Sequence, residues 1–233
     1  MATTTAPARA TKVGPPSILM KTIVAATGLF FVFYLLMHMY GNLQILVGRQ
    51  AFDDYAHHLR VLGEGMVPEK GVLWIFRLLL IGSVLAHVWA TMTLWARAGK
   101  ARTTKYAGKK KSSYGTVYAK AMRWGGIAIL LFVTFHIMHF TTQTITPTGA
   151  HASPAERVIS NFQIWWVVLI YALAMIAVGM HLLHGVWGAA MTLGLNTSLK
   201  RAEQIRFVSI LVATIVVVGF LIPPFAILFG FVE

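Results

Sequence analysis

Five separate runs of apolar residues, at about 19–46, 72–96, 123–146, 164–190 and 207–230, dominate this chain. Each exceeds the ~20 residues that a helix needs to cross ~30 Å of hydrocarbon. Inside lipid an isolated apolar run satisfies its backbone hydrogen bonds only as a helix, and the short alternating segments of a barrel are missing. The expected fold class is therefore an all-α integral membrane protein, a single domain over residues 1–233 with five transmembrane helices forming a bundle. At 57% hydrophobic and 12% charged residues, the chain holds more apolar sequence than a soluble core of this size uses. The first run is too long for a secretory leader and lacks a small-residue cleavage site after it, so it is expected to stay as span one.

The formal charge of +13 raises the question of nucleic acid, and the placement of the basic residues answers it. Arg9 and Lys12 precede span one and Lys21 stands at its very start, a dense group from Arg97 to Arg123 separates spans two and three, and Lys200, Arg201 and Arg206 separate four and five. The other connections balance Arg49, Arg60 and Lys70 against Asp53, Asp54, Glu64 and Glu69, and Arg157 against Glu156. The positive-inside rule then puts the N-terminus in the cytoplasm and the C-terminus outside. Membrane lipid, not nucleic acid, is the expected partner of the basic connection at 97–123, which also offers a docking surface for a soluble protein.

Two short helices are expected in the outer connections. Phe52, Tyr55, Leu59 and Leu62 recur at helical spacing, the pattern of a helix lying in the interface. Ser153-Pro154-Ala155-Glu156 combines a cap residue, a proline at the first helical position and a glutamate three after the cap.

The chain has no cysteine, so disulfides, thiolate clusters and covalently attached haem are excluded, and any metal must rest on histidine, methionine or oxygen. Six of its nine histidines lie inside the runs: His38, His87, His136, His139, His181 and His184. Ionisable residues there are costly and mark function. Because successive spans alternate in direction, positions convert to depths at 1.5 Å per residue. His38 falls roughly 8 Å and His136 about 2 Å outside the midplane, His87 roughly 4–5 Å and His181 about 6 Å to the cytoplasmic side. Level imidazoles from facing helices are what a six-coordinate b-type haem requires, one on each face of the porphyrin. An outer pair and an inner pair predict two haem b groups stacked across the bilayer. His139 and His184, one turn nearer the surfaces, are alternative ligands or propionate partners, with His136 and His181 preferred. His57, His58 and His151 belong to the outer connections and are expected to be solvated.

Around His181 the helical neighbours Ala174, Ala177, Gly185, Gly188 and Ala189 are small, as a flat macrocycle or a packed helix would require. Glu64 and Glu69, beside Trp74 and Arg77, sit at the outer mouth between spans one and two, where a carboxylate can relay protons to a membrane quinone.

Lys21-Thr22-Ile23-Val24-Ala25-Ala26-Thr27-Gly28 with His38-Met39-Tyr40-Gly41-Asn42-Leu43 resembles the first span of the cytochrome b anchor of succinate dehydrogenase and fumarate reductase, in its single-anchor, di-haem form. His181-Leu182-Leu183-His184-Gly185-Val186-Trp187 resembles the fourth span of that family, and Tyr55-Ala56-His57-His58-Leu59-Arg60 and Arg123-Trp124-Gly125-Gly126 resemble actinobacterial members. The resemblance implies a subunit of respiratory complex II in a bacterial cytoplasmic membrane. It would pass electrons from the iron–sulfur subunit, itself joined to a flavoprotein subunit, to menaquinone, with no dicarboxylate active site of its own. His87 and His181 match the family's ligands to the inner haem, and His38 and His136 those to the outer haem. Its quinone-site glutamate, near the outer end of span two, has no unambiguous counterpart in this sequence; Glu64 and Glu69, with Trp74 beside them, are the candidates, and a homotrimer of the complex is open. The alternatives in view are the cytochrome b anchor of a formate dehydrogenase or hydrogenase, a haem-free quinone-binding anchor, and a transporter or proton channel. The first- and fourth-span patterns weigh against the first, and the lack of acidic residues in span interiors weighs against the last.

Overall fold

The computed structural model describes residues 14–101 and 113–233, with side chains for 14–101 and 122–233. Arg9, Lys12 and most of the basic connection lie outside the described residues. Seven α-helices follow one another: α1 (Ser17–Leu43), α2 (Arg49–Val61), α3 (Gly71–Lys100), α4 (Ser113–His136), α5 (Pro154–Phe162), α6 (Trp165–Thr192) and α7 (Leu199–Leu228). Among the described residues there is no strand. Five segments among the described residues are long and apolar enough to cross a membrane: Ser17–Leu46, Gly71–Lys100, Met122–Thr141, Trp165–Thr192 and Leu199–Leu228.

Two boundaries differ from expectation, each for a local reason. The third span stops at Thr141 instead of running to residue 146. A π-turn over Ile137–Thr141, closed by Thr142 N donating to Ile137 O at 2.9 Å, leads into Gln143 with φ at 54°. That left-handed residue ends the helix as a glycine would. The fifth begins at Leu199 rather than 207, because Ser198 caps it by accepting from Arg201 N at 3.2 Å.

The two short interfacial helices form and pack against each other. Phe52 and Tyr55 of α2 are half-buried while His57 and His58 are exposed, so the apolar stripe faces inward. At α5 the Ser153 hydroxyl accepts from Glu156 N at 3.2 Å and donates to Asp53 Oδ2 at 2.6 Å, and Ala155 N donates to Asp53 Oδ1 at 2.9 Å. The Asp53 carboxylate of α2 thus sits on the positive end of α5, where a negative charge is favourable.

Helix α1 packs against α3, α6 and α7, while α6 packs against α1, α4 and α7. Helices α3, α1, α6 and α4 pack in that order, each against the next, with α7 seated on α1 and α6. The pairs α1 with α4 and α3 with α6 are not among the closely packed pairs of the described residues. One apolar core gathers Ile45, Ile159, Phe162, Val167 and Ile227 at the α2/α5 end, and a second runs along the α6–α7 seam through Met175, Val178, Leu182 and Val216. At that seam Gly179 is obligatory, since a Cβ there would fall 2.7 Å from Val217 Cγ2.

Candidate functional site

Two helix pairs that do not pack closely are bridged by imidazoles. His87 of α3 faces His181 of α6 with ring centroids 6.4 Å apart, and His38 of α1 faces His136 of α4 at 5.9 Å. Glycines locate the two levels. A Cβ on Gly28 of α1 would touch His87 Cε1 at 3.7 Å, and one on Gly126 of α4 would touch His181 Cε1 at 3.5 Å. Gly28 and His38 are ten residues apart on α1, as are Gly126 and His136 on α4. At 1.5 Å per residue the two pairs are therefore separated by about 15 Å along the bundle.

At the first level, Thr27 Oγ1 lies 2.9 Å from His87 Nδ1 and 2.6 Å from Ile23 O. The hydroxyl has one proton, and the Ile23 carbonyl can only accept it. Its oxygen then accepts from His87 Nδ1–H, which leaves Nε2 unprotonated. Phe31 meets the His87 ring edge-on at 5.6 Å. Buried Nδ1 of His181 has no hydrogen-bond partner, an unusual state for a polar atom in an apolar interior. One and two turns on, a Cβ at Gly185 or Gly188 would meet nothing within 4 Å, so these small residues border open space and not a packed helix. Ala174 and Ala177 line a groove of about 350 Å³ between α4 and α6, together with Ala128, Phe132 and Phe135.

At the second level, Tyr34 stacks on His38 at 5.5 Å and Phe220 of α7 covers it at 5.6 Å. His136 Nδ1 lies 3.2 Å from Tyr171 OH, and that hydroxyl lies 3.0 Å from His139 Nδ1. His139 Nε2 meets Asn161 Oδ1 at 3.0 Å. Both nitrogens of His139 are thus engaged within the protein, and the π-turn is what brings His136 and His139 onto the same phenol. Arg157 of α5 pins this turn by donating to Phe140 O at 2.7 Å and to His151 O at 3.0 Å. Burial, and next to it Arg60, lowers the Arg157 pKa, while Asp53 opposes that shift. His184 lies one turn beyond His181 on α6.

Glu64, Glu69 and Trp74 are at the α2–α3 turn and the start of α3, and all three are exposed. Glu69 pairs with Lys70 at 3.2 Å, and Arg77 sits 4.9 Å over the Trp74 ring. No hydrogen bond, ion pair or ring contact among the described residues joins any of the three to either histidine pair.

An imidazole nitrogen binds a metal at about 2 Å. Adding the half-widths of two rings on opposite faces of a porphyrin iron sets their centroids about 6 Å apart. Both pairs have that spacing, and each joins two helices that are not among the closely packed pairs of the described residues. No group of three or more His, Cys, Asp or Glu among the described residues gathers to hold a bare metal ion. A haem differs in that its macrocycle supplies four ligands and the protein only two. The donor set therefore fits haem b better than a free cation.

Sequence reasoning passed over Tyr171 and Asn161. Tyr171 had a usable signal, being the one hydroxyl-bearing residue in the apolar stretch 165–180. Fold and site together define a multi-pass, all-helical membrane protein with two intramembrane histidine pairs, one above the other. No protein family, no curated protein and no solved structure matches the chain.

Proposed function

We propose that this chain is the cytochrome b membrane anchor of a succinate:menaquinone oxidoreductase, with one haem b between His87 and His181 toward the cytoplasm and a second between His38 and His136 toward the outside. The observation that carries the reading is two imidazole couples at 6.4 and 5.9 Å, each joining helices that otherwise do not pack closely. When bound, the two haems supply one-electron carriers inside the hydrocarbon. The chain's own residues bind and orient. Thr27 holds His87 with Nε2 free, Tyr171 holds His136, and Gly28 and Gly126 admit the His87 and His181 rings close to α1 and α4. Such partners are what fix the orientation and basicity of a ligating histidine.

Succinate oxidation belongs, on this reading, to flavoprotein and iron–sulfur subunits docked at the cytoplasmic end. Menaquinone is reduced at the α2/α5 end, where Glu64, Glu69 and Trp74 are the candidate quinone residues. The seat is a bacterial cytoplasmic membrane.

The test is haem stoichiometry of the purified complex by pyridine haemochrome, with His38, His87, His136 and His181 each replaced by alanine. Two haems per chain are expected. His87→Ala and His181→Ala should remove the same absorbance component, and His38→Ala and His136→Ala the other. A complex without haem, or losses that do not sort into these pairs, would refute the proposal. Reduction of the haems by formate or hydrogen instead of succinate would reassign the anchor to another dehydrogenase.

A further inference from the structure

His139 and Asn161 are fully buried and Tyr171 is only 7% exposed, yet their hydrogen bonds form one directed chain. Asn161 Nδ2 donates to Arg157 O at 2.9 Å, which fixes the amide so that Oδ1 faces His139 Nε2. An amide oxygen only accepts, so His139 carries its proton on Nε2. With that proton placed, His139 Nδ1 is an acceptor, and Tyr171 OH at 3.0 Å must donate to it. The phenol has no second proton, so at 3.2 Å it can only accept from His136 Nδ1–H. His136 is thereby left with an unprotonated Nε2, the form in which imidazole binds a metal.

We infer that Asn161, His139 and Tyr171 are a positioning relay that sets the tautomer of His136 and tunes the His38/His136 centre alone. The inference rests on the two-haem reading. An acceptor on Nδ1–H makes the ligand imidazole more basic and favours oxidised iron, so breaking the relay should raise the midpoint potential of one centre. The first level, where Thr27 accepts from His87 Nδ1, shares none of the relay's three residues and should not respond.

The experiment is a redox titration of the intact complex carrying Tyr171→Phe, His139→Leu or His139→Gln, with haem content measured in parallel. Tyr171→Phe and His139→Leu should shift one midpoint upward and leave the other in place. His139→Gln should restore the original value, because a glutamine can accept from Tyr171 and donate to Asn161 in the same direction. If Tyr171→Phe does not assemble, the His139 pair decides alone. Identical midpoints for His139→Leu and His139→Gln, or equal movement of both centres, overturn the relay while two haems remain bound. Absence of haem from the unaltered complex overturns the two-haem reading instead.

Discussion

Gly41 offers a prediction whose sign depends on one neighbouring ring. It is buried near the end of α1, and a Cβ there would fall 2.6 Å from Tyr55 Cε1 and 3.2 Å from Cζ, inside the contact distance of a rigid aromatic. Tyr55 is itself held edge-on against Tyr40 at 5.9 Å, so it cannot turn away freely. Alanine in place of an interior helical glycine should gain about 0.5–1 kcal/mol from reduced backbone entropy, whereas overpacking of this kind costs about 1–3 kcal/mol. Gly41→Ala should therefore destabilise by about 1 kcal/mol in the native background. In a Tyr55→Ala background the steric cost is gone, and the same change should stabilise by about 0.5–1 kcal/mol. The coupling between the two sites is then about 1–3 kcal/mol, well above the ~0.3–0.5 kcal/mol of independent sites. Graded unfolding of the four proteins in mixed detergent micelles measures it. A stabilising Gly41→Ala in the native background, or the same sign in both, would refute the argument that α2 docks on α1 through this glycine.

Gly126→Leu drives a branched side chain into the His181 ring that already lies at contact distance, and haemochrome should fall by about half. Thr27→Val keeps shape but removes the oxygen bonded to His87 Nδ1; a loss of about 1 kcal/mol in stability is expected, with the His87/His181 midpoint shifted and the other unchanged. Asp53→Ala removes the acceptor for Ser153 Oγ and Ala155 N. It should cost about 0.5–2 kcal/mol in the same micelle assay, without loss of haem. If electrons run from the cytoplasmic to the outer centre, the membrane field assists by about 2.3 kcal/mol per electron per 100 mV. A protonophore should then slow succinate-to-menaquinone turnover in intact vesicles, and an unchanged rate would exclude that coupling.

Much of the bundle is legible in one dimension. Apolar run length locates all five spans, the Phe52–Tyr55–Leu59 spacing marks α2, and the Ser153-Pro154-Ala155-Glu156 signature marks the start of α5. The exceptions arise where backbone chemistry overrides hydropathy. Span three, expected to reach residue 146, ends at Thr141 with the π-turn and the left-handed Gln143. Ser198 extends α7 backwards into a charged stretch that hydropathy discounts. His139 could be read from sequence only as an alternative ligand. Its engagement depends on Tyr171 and Asn161, which are remote from it in sequence and reach it through the folding of α5 and α6.

The order of residues alone determined that this chain spans a bilayer and that its intramembrane histidines fall at two depths, because span length and axial rise are properties of single helices. Which rings face one another was decided by tertiary packing. Rotation of each helix about its axis and the glycines that admit opposing rings take effect only when α1, α3, α4 and α6 pack together.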